Sequence, residues 1–203
     1  HCSKLQSISI PSSVTTIGAS SFIGCSSLTS VNIPETITVI EESLFSGCSL
    51  LSQITIPSSV TVIKNSSFKQ CTSLKRVDIP SSITQIDEYA FNGCSSLVSI
   101  TIPTTVNKID GYAFSECSSL KEISIPSSGT SFESGILSKC ISLVKITIPS
   151  SVVIINGYCF SKCSALKEIE IPSSVKSIRY NAFSYCTSLE KVIINSLIDT
   201  IEE

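Results

Sequence analysis

Apolar and polar residues follow one another along this chain in a figure that returns every 23 positions. In the stretch from Leu28 to Pro34, Val31 and Ile33 stand two apart between Ser30 and Asn32, the period of a short strand with one buried face. Pro34 ends that strand, because proline has no N–H to offer a central ladder. Ile37 and Ile40 predict a second short extended segment. A helical turn carrying Phe45 is predicted next, announced elsewhere by an acid and a small residue, as in Asp87–Phe91 and Asp110–Phe114.

The eight prolines, Pro11 to Pro172, keep the 23-residue step without drift, and cysteine keeps it from Cys2 to Cys186 with Leu three residues behind each time. Eight full units run from Cys2 to Tyr185 and a ninth begins at Cys186. A fixed period of this length marks a solenoid, whose units stack because none can bury its apolar face alone. Neighbouring rungs then set Leu on Leu, Ile on Ile and Phe on Phe at the ~4.8 Å strand spacing. Phe22, Phe45, Phe68, Phe91, Phe114, Phe160 and Phe183 are accordingly read as a buried spine. The sixth unit departs from the rest: Gly129, Phe132, Ile136 and Leu137 replace the usual Val or Ile, Ile, Ala and Phe. Phe132 is expected to fill volume given up by Gly129 and Leu137.

With 42% hydrophobic and 15% charged residues, 203 residues can bury a sizeable core. A net charge of −2 with scattered Lys and Arg makes nucleic acid an unexpected partner. No apolar run approaches the roughly 20 residues of a bilayer-spanning helix, so no membrane insertion by this segment is expected. The start has no charged leader followed by an apolar stretch, and without Met the chain reads as a piece of a longer one.

Candidate chemistry is sparse. Equivalent cysteines in adjacent rungs point in parallel instead of converging, which argues against disulfides and for small buried hydrophobes. Cys159 occupies an alanine site, and its offset of four from Cys163 makes only a weak metal pair without histidine nearby. The sole histidine, His1, leaves no Ser-His or Cys-His arrangement. Asp87, Glu88, Asp110 and Glu133 recur before the expected helical turn, where carboxylates would favour a positive helix start. No enzyme, no cofactor and no metal site is expected.

The segment L-x-x-[IV]-x-I followed by "IPSSVTxIxxxAFxxCSSL" resembles the BspA-like leucine-rich repeats, found in surface proteins of bacteria and of protozoan parasites. The resemblance covers essentially the whole chain. It implies an α/β fold: one right-handed solenoid domain over residues 1–203, with a parallel concave β-sheet, short second strands, and helical turns on the convex side. It further implies export to the cell surface or outside the cell, adhesion to host or matrix protein or glycan, and no catalytic residues.

Function in a solenoid sits on outward positions. On the concave face these are Ser30, Asn32, Gln53, Thr55, Arg76, Asp78, Ser99, Thr101, Glu122, Ser124, Lys145, Thr147, Glu168 and Glu170, a hydroxyl-rich surface of mixed charge without an aromatic anchor. Solvated strand surface is the competing reading. Tyr89, Tyr112 and Tyr158 share one position and form a candidate aromatic strip, for which packing over the convex turns is the alternative. Asn65 begins the one conventional N-glycosylation sequon. The expected function is a non-catalytic binding module of a cell-surface protein, with a spacer that positions another domain as the alternative. Neither end carries a polar cap: the ends read as cut from a longer array, whose exposed terminal rungs would associate end to end, with Ile193 and Leu197 as an improvised cap or a self-association surface as the alternative.

Overall fold

The computed structural model describes residues 2–128, 131–195 and 197–203. His1 and Gly129, which figure in the expectations above, lie outside them. Among the described residues the chain winds as a parallel β-solenoid of about eight turns. Three-residue strands recur at Ser7–Ser9, Ser30–Asn32, Gln53–Thr55, Arg76–Asp78, Ser99–Thr101, Glu122–Ser124 and Lys145–Thr147, and lengthen to four at Glu168–Ile171 and Lys191–Ile194. They pair in parallel as three ladders: Ser7–Ser9 with Ser30–Asn32, the five from Gln53–Thr55 to Lys145–Thr147, and Glu168–Ile171 with Lys191–Ile194. Each paired residue meets its equivalent 23 residues on, as Ile123 faces Ile100 on one side and Ile146 on the other. The three ladders lie along one face and together form the first sheet. The middle residue points inward and its two flanks outward, as at Gln53–Thr55.

A second parallel sheet is built from two-residue strands in two four-stranded ladders, Val39–Ile40 to Lys108–Ile109 and Ser131–Phe132 to Thr200–Ile201. These two ladders part between Lys108–Ile109 and Ser131–Phe132, whereas Ser99–Thr101, Glu122–Ser124 and Lys145–Thr147 of the first sheet stay paired at the same level. Between strands, proline opens a turn that the amide three residues on closes, Ile37 N–H to the Pro34 carbonyl at 3.1 Å. Cys-x-x-Leu makes another, Leu51 N–H to the Cys48 carbonyl at 3.0 Å.

The expected helical turns are absent among the described residues, and with them the α/β class. In their place runs a chain of overlapping β-turns: the amides of Leu44, Ser46 and Cys48 bond the carbonyls of Glu41, Ser43 and Phe45. The alternate amides of Ser43, Phe45 and Gly47 reach instead to Asn65, Ser67 and Lys69 of the next rung, at 2.7–2.9 Å. Ser43 (φ 53°) and Gly47 (φ 74°) occupy the third positions of the turns at 41–44 and 45–48, where a type II turn requires positive φ. The reason is one of width. A helix is about 10 Å across, whereas rungs rise by ~4.8 Å, and only an extended segment stacks at the strand spacing.

The interior is one continuous cluster of Leu, Ile, Val, Phe and Cys rows. Phe22, Phe45, Phe68, Phe91 and Phe114 stack face to face with centroids 5.2–5.6 Å apart. Leu137 interrupts the row, and Phe132, buried from the second sheet, brings its ring to 5.6 Å from Phe160. That contact sets Phe132 beside the row that Leu137 interrupts, while the part of the expected repacking that concerns Gly129 lies outside the described residues.

Candidate functional site

The first sheet carries all fourteen outward strand positions named from the sequence, and every one of them is exposed. Register decides their neighbours: Glu122 lies between Ser99 and Lys145, Ser124 between Thr101 and Thr147, and Glu168 beside Lys191. Arg76 reaches along its own strand to Asp78 at 2.9 Å, with both groups well exposed, so the pair contributes at most about 1 kcal/mol. Opposite charges therefore meet across the face and leave it polar, with little net field. Shallow clefts lie along it, one of about 600 Å³ lined by Ser9, Ser30, Asn32, Glu35 and Thr55. Another of about 420 Å³ is lined by Lys145, Thr147, Glu168, Glu170 and Ile193. Ile193 is half-buried beside Glu170, whereas Leu197 stands exposed.

The acids of the repeat do not cap helices. Asp87 accepts from the Gln85 side chain, Asp110 pairs with Lys108 at 2.8 Å, and Glu133 accepts from the Ser131 hydroxyl. In each case the partner stands two residues back on the short second strand, the spacing that puts side chains on one side of a strand. Lys64 instead crosses the rungs to Glu41 at 2.9 Å.

The tyrosines gather at the corner between the second sheet and the run of turns. Tyr89 and Tyr112 stack at 5.2 Å, Tyr158 meets Tyr180 edge-on at 5.3 Å, and Lys69 sets its Nζ 5.2 Å above the Tyr89 ring. Tyr180, one position out of register in the sequence, thus joins the strip. Tyr89, Tyr112 and Tyr158 all adopt positive φ of 55–59°, as do Ser20, Ser43 and Ser66 at the same rung position.

All ten cysteines are free, and eight are buried. Each regular thiol from Cys48 to Cys186 donates to the carbonyl 26 residues earlier, Cys48 to Phe22 and Cys71 to Phe45, both at 3.2 Å. Burial pushes Cys48, Cys117 and Cys163 up to about 12, and holds Cys94 and Cys140 well above the ordinary thiol value. Thiols held protonated in this way are poor nucleophiles. Cys159 aims its thiol at the carbonyls of Phe132 and Glu133. Among the described residues no three His, Cys, Asp or Glu side chains gather to hold a metal.

Sequence reasoning missed a ladder of hydroxyls. Ser82 donates to the Val60 carbonyl at 2.6 Å and Thr105 to that of Ile83 at 3.0 Å, each one rung back. A second row links Ser49 to Ser26, Thr72 to Ser49, and Ser95 to Thr72 through Oγ-to-carbonyl bonds of 3.3–3.4 Å. The signal was in the Pro-Ser-Ser and Cys-Ser-Ser words themselves, which keep a hydroxyl where a turn carbonyl of the preceding rung needs a donor. Asn65 is half-buried, its Oδ1 accepting from Ser66, and Ser67 is fully buried.

Parallel rungs, like-on-like core rows and an outward polar strand face define a leucine-rich-repeat solenoid. The chain belongs to the BspA type leucine rich repeat family, which it matches in six copies over residues 1–111 and 84–203. No curated protein matches it. Among solved structures it is similar to a leucine-rich repeat protein from Bacteroides ovatus, at 32% identity and TM-score 0.84 over 97% of this chain. It is similar to the T. pallidum leucine rich repeat protein at 28% identity and TM-score 0.74, covering 79% of this chain and 77% of that one. A leucine rich cell surface protein from Faecalibacterium prausnitzii is 30% identical with TM-score 0.67 over 97% of this chain. The chain spans 60% of the length of the B. ovatus protein and 62% of that from F. prausnitzii.

Proposed function

We propose that the chain is a non-catalytic binding module of a cell-surface protein, engaging a protein or glycan of a host or matrix through the outward positions of the first sheet. The observation that carries this reading is the contrast between rows. Core positions repeat the same residue types from rung to rung, whereas the outward pairs run Ser30/Asn32, Gln53/Thr55, Arg76/Asp78, Ser99/Thr101, Glu122/Ser124 and Lys145/Thr147 on an unchanged backbone. Residues freed from packing are where binding specificity is written in a repeat protein. The surface description of the F. prausnitzii relative supports the location. With no aromatic anchor on this face, binding is expected to be of modest affinity and strengthened by multivalency. Asn65 carries an N-glycan if export runs through a eukaryotic secretory route.

The test is a screen of the purified chain against matrix proteins and a glycan array, repeated with Lys145, Glu168 and Glu170 changed to Ser. A hit that this variant loses supports the reading. A hit that survives it moves the site elsewhere, and a blank screen favours the spacer alternative.

A further inference from the structure

Four rungs on one edge of the solenoid hold tyrosines around a saddle from which side chains are missing. Tyr112 leans forward across Gly135, where an added Cβ would come within 2.1 Å of its ring. Tyr180 leans back across Gly157, where a Cβ would meet its ring at 2.7 Å. The rings close on the saddle from both directions, Tyr89 behind Tyr112 and Tyr158 against Tyr180. Burial and the neighbouring Tyr89, Tyr180, Tyr158 and Glu88 all push the Tyr112 phenol upward, as expected for one cluster. The fold does not require these rings, since the position of Tyr89, Tyr112 and Tyr158 is filled by Ser20, Ser43 and Ser66 with the same backbone. Tyr158 and Tyr180 remain 37% and 45% exposed.

Charge on this edge is one-sided. Glu41, Glu42, Asp87, Glu88, Asp110, Glu133, Glu202 and Glu203 stand in the two columns beside the tyrosines, against Lys64 and Arg179. Both cations are already engaged, Lys64 by Glu41 and Arg179 by Glu202, and Lys108 on the adjoining strand is engaged by Asp110. Among the described residues Glu88 forms no ion pair, and the Glu133 carboxylate accepts from the Ser131 hydroxyl without an ion pair, its charge felt by Lys108. At the outer end of the row, Lys69 over Tyr89 shows how such a ring meets a cation. A cationic side chain over a tyrosine face gains attraction from the ring quadrupole, and an adjacent carboxylate adds to it.

We propose that this edge is a docking site for a basic, extended segment of a partner protein, whose Arg or Lys side chains lie on Tyr112, Tyr158 and Tyr180 and pair with Glu88 and Glu133. It is a different surface from the first-sheet face, so the failure of either proposal leaves the other standing.

The probe is an alternating Arg-Gly octapeptide, titrated into the isotope-labelled chain and followed by amide chemical shifts at low and high salt, with a Glu-Gly octapeptide and maltohexaose alongside. Shifts are expected at Tyr89 to Tyr180 with the basic peptide only, weakening as salt rises. Tyr158→Ser with Tyr180→Asn puts the residues of Ser66 and Asn65 at equivalent positions, so the fold is retained, and affinity is expected to fall about five-fold or more. Glu88→Gln is expected to weaken binding, Tyr158→Phe to preserve it, and Glu168→Gln with Glu170→Gln to leave it unchanged. Equal binding by the Ser/Asn variant, shifts centred on Glu168 and Glu170, or the same shifts with maltohexaose would each overturn the proposal, the last in favour of a glycan.

Discussion

Every regular thiol from Cys48 to Cys186 spends its hydrogen on a carbonyl that already holds an amide: the Phe22 oxygen takes Cys25 N–H at 3.1 Å and Cys48 Sγ at 3.2 Å. The cysteine row is thus a polar ladder inside an apolar core, which explains a thiol where an equally small apolar residue would leave that acceptor without its second donor. Iodoacetamide on the native chain should reach Cys2 readily and the buried thiols only after denaturation, when ten modified sites are counted. Native modification of several core thiols would contradict the burial. The raised thiols also set a pH dependence. Their protonated form is the one the fold favours, so stability is fully present below about 9, the unfolded value, and is lost as pH climbs toward about 12. Each pH unit above the unfolded value costs roughly 1.4 kcal/mol per thiol still protonated in the fold. Urea midpoints at about pH 8 and 10.5 should differ clearly, and less so in Cys117→Ala. Ser67 is the reverse case, a buried hydroxyl without a partner among the described residues, where Ala90, Ala113 and Ala182 serve elsewhere. Ser67→Ala should stabilise the chain by about 1 kcal/mol, read from denaturant unfolding.

The turns on the far side of each rung depend on their neighbours as much as the strands do. Half of their amides bond forward into the next rung, so a single rung cannot hold this shape alone. Rings packed on those turns carry the same coupling. Phe91 lies between Phe68 at 5.2 Å and Phe114 at 5.5 Å and is fully buried. Phe91→Ala should cost about 3–5 kcal/mol in unfolding, whereas Phe22→Ala, in the half-covered first rung, should cost clearly less. Equal losses would mean that the row is a set of separate contacts and not a shared stack. The strand, the proline stop and the phenylalanine row were all legible in the spacing, because each reflects its own side chains. Helical turns were expected because a run such as Asp87–Phe91 has helix-compatible residues. The choice between helix and overlapping turns rests on where the amide of Tyr89 goes, and it goes to Gly111 in the next rung, at 3.2 Å.

Taken end to end, the solenoid is a ladder with an open rung at either extremity of the described chain. Ser7–Ser9 pairs only with Ser30–Asn32, and Lys191–Ile194 only with Glu168–Ile171. At the latter end Leu197 is 87% and Ile201 66% exposed, large apolar groups that a following rung would cover. The 23-residue register lets the first strand of a second copy continue from Lys191 as Ser30 continues from Ser7, a head-to-tail contact that does not close on itself. The 203-residue chain should therefore grow in apparent mass with concentration in light scattering. Leu197→Ser, the residue held at this position by Ser151 and Ser174, combined with Ile201→Lys should return it to a monomer. A parent chain monomeric at every concentration would show that the open rungs do not associate.

The period, the inward rows and the outward strand positions could be read from the amino acids alone, since in a solenoid each residue meets its own equivalent and the repeat spells out its surroundings. What required the folded chain was everything that passes between unlike residues of different rungs. Ser82 finds the Val60 carbonyl, Cys71 the Phe45 carbonyl, and Tyr112 the bare backbone of Gly135. Ser82 and Val60, like Cys71 and Phe45, belong to different columns of the repeat, so no column announces them, and Gly135, which shares the column of Tyr112, shows there only as a gap. They exist because ~4.8 Å stacking brings a donor, a ring or a missing side chain beside a neighbour that linear spacing leaves 20 or more residues away.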